Sequence, residues 1–152
     1  MKTAAFLSSL LLAAVSATPI SEIPSQINVI GFTAMTEPHG DGASLSFRVT
    51  IPGTAVDQVS CSYADQTSVD LPDIPMTECE DPALRFQFRQ DPTRPGTAEG
   101  RYRLVVTYTN PTPGGEGLAG YHEWDPADFA VTSDSTTDII YKGEPDFTLT
   151  RA

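Results

Sequence analysis

The chain has 152 residues and carries 20 acidic against 9 basic side chains, a formal charge of -11. That length suits one domain with a single core, and so acidic a surface repels nucleic acid and anionic membrane, so neither is an expected partner. Two cysteines and two histidines leave little from which to build a metal site.

From the N-terminus, residues 1–17 have the parts of a secretion leader. Lys2 supplies the positive start, residues 4–15 are apolar but for Ser8 and Ser9, and Val15-Ser16-Ala17 offers small residues for cleavage. The stretch is too short to span a bilayer. The expectation is a secreted, extracellular protein with a signal peptide at 1–17, an N-terminal extension at 18–27 and one β-domain at 28–152.

The 13 prolines break most windows long enough for a helix, and no stretch after the leader keeps apolar residues at helical spacing. Strand signals recur instead. A first short strand is expected over 27–34. Leu45, Phe47 and Val49 then alternate with Ser46, Arg48 and Thr50, and Pro52-Gly53 turns the chain into a strand over 56–63. In an oxidising compartment the only two cysteines, Cys61 and Cys79, are expected to form one disulfide. Closing a loop of roughly 18 residues, it is worth about 3 kcal/mol in the chain-entropy model.

Asp65, Asp70, Asp73, Glu78, Glu80 and Asp81 crowd the region around the cysteines without the glycine turn and terminal glutamate of an EF-hand, so a solvated acidic loop is expected, not a calcium site. His39 and His122 lack ligand spacing, which removes zinc. No metal and no cofactor are expected.

Beyond Cys79, Leu84, Phe86 and Phe88 alternate with Arg85, Gln87 and Arg89, the sharpest strand pattern in the chain. Residues 91–100 are turn chemistry, and 101–109 resume with Tyr102, Leu104, Val106 and Tyr108 on one face, which predicts a hairpin. Further strands are expected over 118–124, 129–132, 139–141 and 147–149, with a polar loop at 133–138. The fold class is therefore all-β, a small single-domain antiparallel β-sandwich or β-barrel with one disulfide.

Pairing Gln90 with Gly100 sets Arg89 opposite Arg101 and Gln87 opposite Arg103, with Arg85 on the same face. Arg85, Arg89, Arg101 and Arg103 would then form a cationic strip on an acidic protein, joined by Arg94 from the loop. Either neighbouring carboxylates satisfy these arginines, or the strip docks an anionic partner, a protein or a glycan, through bidentate guanidinium contacts.

The run Tyr121-His122-Glu123-Trp124-Asp125 mixes residue types found in sugar-binding and hydrolytic sites. As a strand it sends Tyr121 and Glu123 one way and His122 and Trp124 the other, so Trp124 is expected in the core. No Gly-x-Ser-x-Gly elbow is present and no catalytic residue stands out, although 20 acids leave a carboxylate pair possible.

Ser60-Cys61-Ser62, Cys79-Glu80-Asp81-Pro82, Tyr102-Arg103-Leu104-Val105-Val106, Gly120-Tyr121 and Asp128-Phe129 together resemble the secreted fungal proteins of the Alternaria major-allergen-like group, over about residues 28–131. The resemblance implies a β-barrel or β-sandwich and a secreted, non-enzymatic, effector-like protein contacting a host or cell-wall partner. It implies no catalytic residues. The founding allergen uses more than two cysteines, so its barrel details and self-association do not carry over. The alternative functions are a small secreted hydrolase acting on cell-wall polysaccharide and a structural wall component.

Overall fold

The computed structural model describes residues 24–37, 42–68, 70–91, 101–131 and 139–152, the side chains of Asp91, Arg101 and Val131 excepted. The expected leader, His39, Arg94 and the polar loop at 133–138 lie outside the described residues. In chain order the strands are β1 (Asn28–Thr36), β2 (Ala43–Thr50), β3 (Val59–Asp65), β4 (Ile74–Glu78), β5 (Leu84–Asp91), β6 (Arg101–Tyr108) and β7 (Leu118–Trp124). A 3₁₀ turn at Pro126–Asp128 then leads to β8 (Phe129–Val131), β9 (Ile139–Tyr141), β10 (Phe147–Thr148) and β11 (Thr150–Arg151).

These strands make two antiparallel sheets packed face to face. One has the order β3-β2-β1-β9-β8, with β10 also paired to β1, and the other the order β11-β7-β6-β5-β4. Period-2 alternation in the sequence becomes two apolar inner faces. Leu84, Phe86, Phe88, Leu104 and Val106 from the five-stranded sheet meet Phe32, Leu45, Phe47 and Val49 from the other, each at most 3% exposed. Burying each such side chain contributes about 1.5–3 kcal/mol against leaving it in water.

β1 changes phase midway. Val29 points inward, and so do Phe32, Ala34 and Thr36, because the register with β2 shifts between Ile30 and Thr33. Gly31 absorbs the extra residue at φ 66°, in the left-handed region that favours glycine, and its amide donates to Asp146 Oδ1 at 2.7 Å. Thr36, the buried polar residue of the described core, accepts a hydrogen bond from the Ile139 amide at 2.8 Å.

The chain crosses between the sheets at both edges of the sandwich. On one side the C-terminal segment passes from β10 to β11, held by Leu149 N donating to Ile27 O at 2.9 Å and Ala152 N donating to Ala119 O at 3.0 Å. A Cβ at Gly120 would lie 2.8 Å from Leu149 Cβ, so this crossing requires a residue without a side chain on β7.

On the other side Cys61 of β3 is bonded to Cys79, one residue past β4, with the Cα atoms 4.3 Å apart. Because β3 and β4 edge different sheets, the disulfide joins the two layers and does not brace a single sheet. Glu80 N donates to Ser60 O at 2.9 Å across the same seam.

Two of the differences from expectation bear on the arginine-bearing sheet. Residues 74–78 form a strand, although the region reads as an acidic loop, because Pro75 and a register shift between Ile74 and Thr77 interrupt the alternation. The hairpin register also differs by two residues: Arg89 faces Arg103, Gln87 faces Val105, Arg85 faces Thr107 and Asp91 faces Arg101.

Candidate functional site

A two-residue shift leaves each side chain on its original face, so the positions of Arg85, Arg89, Arg101 and Arg103 still share the outer face of the five-stranded sheet. The Arg101 side chain lies outside the described residues. The other three are held differently, and the differences follow from what each neighbouring strand brings alongside.

Arg85 lies opposite Glu78 of the edge strand β4, and its Nη2 donates to Glu78 Oε1 at 2.6 Å. Both side chains are about half exposed, 52% and 54%, so water and salt screen the pair and little stability follows from it. Arg103 lies opposite Glu123 of β7, and its Nε donates to Glu123 Oε1 at 2.7 Å, with Nη2 engaging the same oxygen. Its guanidinium also rests over the Tyr121 ring, 5.5 Å from the centroid. These side chains are only 24% and 16% exposed, so this pair is the better shielded of the two.

Arg89 makes no such ion pair among the described residues. Directly across from it stands Arg103, and like charges opposed in this way cost roughly 0.2–1 kcal/mol. Its Nε is buried with no hydrogen-bond acceptor among the described residues. Sequence reasoning identified the arginines but missed the carboxylates that sort them. Glu123 was legible as an outward residue of a strand, and only the β6–β7 register reveals that it meets Arg103. Glu78 sits on a strand that was not recognised.

Trp124 is not on a surface platform. It is 4% exposed, stacks on Phe32 at 4.7 Å between centroids, and donates from Nε1 to Tyr141 Oη at 3.0 Å. Tyr141 Oη donates in turn to the Glu144 carbonyl at 2.8 Å. Tyr121 and Glu123 face outward as expected, so the run from Tyr121 to Asp125 does not converge on one ligand.

His122 shares the inner side with Trp124 and is wedged between Trp124 and Phe147, at 4.6 and 4.4 Å between centroids. Burial pushes its imidazole below the ordinary value of 6.5, against the opposing pull of Asp128 and Glu123. The fold therefore favours the neutral ring, and the unfolded chain takes up a proton first as the pH falls. The stability linked to His122 is fully present above pH 6.5 and is lost below it. The urea midpoint of the wild type should accordingly fall further than that of His122→Gln when measured below pH 6.5. Parallel pH profiles for the two proteins would contradict this assignment.

The acids around the cysteines do not converge. Asp65 Oδ1 accepts from the Thr67 amide at 2.8 Å, Asp73 Oδ1 from Gln90 N at 2.9 Å, and Asp81 Oδ1 from Ala83 N at 2.9 Å. Each organises its own turn or strand end. Among the described residues no three metal-ligating side chains gather, and no helix is long and apolar enough to cross a membrane. No family model matches the chain, and no curated protein sequence matches it significantly.

Proposed function

We propose that the protein is a secreted, non-enzymatic binding domain that engages an anionic group of its partner through Arg89 and Arg103 on the outer face of the five-stranded sheet. The observation that carries this reading is Arg89: a guanidinium set against a second arginine, with a buried Nε that no acceptor satisfies among the described residues. An anionic ligand bridging Arg89 and Arg103 would relieve their repulsion and meet the fork geometry that guanidinium presents to carboxylate or sulfate. The surrounding surface suits docking, since Val105, Ala119 and Tyr121 lie half-buried beside the arginines.

Secretion is part of the proposal and rests on the leader-like residues 1–17 and on a disulfide compatible with an oxidising compartment. The setting suggested by the resemblance, a fungal protein acting on a host or cell-wall surface, belongs to the same proposal.

The test is an array of anionic glycans, including polygalacturonate and heparin oligomers, together with host and wall proteins, probed with the chain from residue 18 onward. Arg89→Ala should weaken a captured partner by roughly tenfold or more, the worth of a charge-assisted hydrogen bond. Arg48→Ala on the opposite sheet should leave it unchanged. Partners that bind equally well after joint replacement of Arg85, Arg89, Arg101 and Arg103 by alanine would overturn the proposal.

A further inference from the structure

The end of the sandwich where β2 passes to β3, β4 to β5 and β6 to β7 holds a cleft of two lobes. One lobe, of about 490 Å³, opens between the Gly53-Thr54 turn and the loop containing Asn110 and Glu116. The other, of about 480 Å³, opens between Val56, Pro82, Ala83 and Thr109. Ala55, Tyr108 and Pro111 line both, so the lobes adjoin. Each lies within the size range of small-molecule sites.

Backbone bonds fix the walls. Ile51 N donates to Val56 O at 2.9 Å in the first turn, Leu84 N to Asp81 O at 2.9 Å in the second, and Gly115 N to Thr112 O at 2.9 Å in the third. Thr109 N donates to Ala83 O at 2.8 Å and ties the second turn to the end of β6. A cleft held in this way needs little ordering when a ligand enters.

The second lobe is apolar along Val56, Pro82, Ala83 and Pro111, with Tyr108, 6% exposed, beneath. Among the described residues Arg85 is the one basic residue lining either lobe. Asp81, the acid of this lobe, already accepts the Ala83 amide, and Glu78 engages Arg85 through Nη2, one position of a five-donor guanidinium. The geometry points to a binding site for a small monocarboxylic acid with an apolar body, its carboxylate on Arg85 and its body in the second lobe. A doubly charged anion is disfavoured because Glu78 and Asp81 flank the single cation. A neutral apolar molecule would leave the guanidinium without a new partner.

The test is an amide-resolved NMR titration of the disulfide-intact chain with phenylbutyrate and with the corresponding alcohol, phenylbutanol. The acid should shift the amides of Val56, Ala83 and Thr109 and bind roughly tenfold more tightly than the alcohol. Arg85→Gln should bring the two to equal affinity, and Ala55→Trp, on an exposed turn shared by both lobes, should abolish both. Arg89→Ala should alter neither, which separates this site from the outer sheet face. No amide shifts, equal affinity for acid and alcohol in the wild type, or shifts centred on Arg89 and Arg103 would each overturn the inference.

Discussion

Replacing Phe32 with alanine is expected to lower the stability of the fold by about 4 kcal/mol, a large part of the 5–15 kcal/mol that a domain of this kind possesses. Phe32 follows the Gly31 bulge, which turns its ring into the space between the sheets. There it touches aromatic side chains from both layers: Trp124 at 4.7 Å and Phe88 at 6.4 Å from one, Tyr141 at 4.9 Å, Phe147 at 5.8 Å and Phe47 at 6.0 Å from the other, all between centroids. So many fixed neighbours cannot all move inward, so a cavity would remain and add to the lost burial. Urea unfolding followed by Trp124 fluorescence and by circular dichroism reads the loss directly. A change below about 1 kcal/mol would show that the aromatic cluster repacks and is not the keystone of the inter-sheet contact. Phe32→Leu, which restores most of the volume, should lose less.

Removing the disulfide should have the next largest effect. The joint Cys61→Ala and Cys79→Ala variant is expected to lose about 3 kcal/mol, chiefly because the unfolded chain regains the freedom of the closed loop. The folded state should respond at one place. β4 is an edge strand weakened by Pro75 and a register shift, and its end is held to β3 by the disulfide and the bond from Glu80 N to Ser60 O. Hydrogen exchange should therefore quicken along residues 74–80 while the amides of β5 and β6 stay protected. Uniform acceleration across both sheets would mean instead that the bond acts only on global stability.

Most of the fold was legible because most strands bury one face. Leu84, Phe86 and Phe88 alternate with polar residues, and the structure buries all three. Leu118–Trp124 and Ile139–Tyr141 occur at their expected bounds. β4 was not legible because Pro75 and its bulge break the period on which such reading depends. β11, two residues long, has no period at all, and pairs with β7 because Leu149 carries the chain across the core. The phase change in β1 is likewise a consequence of Gly31, whose positive φ is not written in the hydrophobic pattern.

The candidate site divides in the same way. Parity along β5 and β6 placed the arginines on one face in the expected and the observed register alike, because a side-chain period of 2 is unchanged by a shift of two residues. Which arginine is left without a carboxylate among the described residues depended on other strands, Glu78 on β4 and Glu123 on β7. The loop-end cleft unites three turns that are distant in sequence, so no local motif announces it.

The sequence by itself determined the all-β class, the inward rows and the single disulfide, since alternation, turn residues and cysteine number are local or additive properties of the chain. Only the tertiary structure decided that the disulfide joins two sheets, that Arg89 faces Arg103, and that Trp124 stacks on Phe32 of the opposite sheet. Those outcomes depend on register and on sheet-to-sheet packing, where residues far apart in the chain meet and short-range pattern carries no information about which ones do.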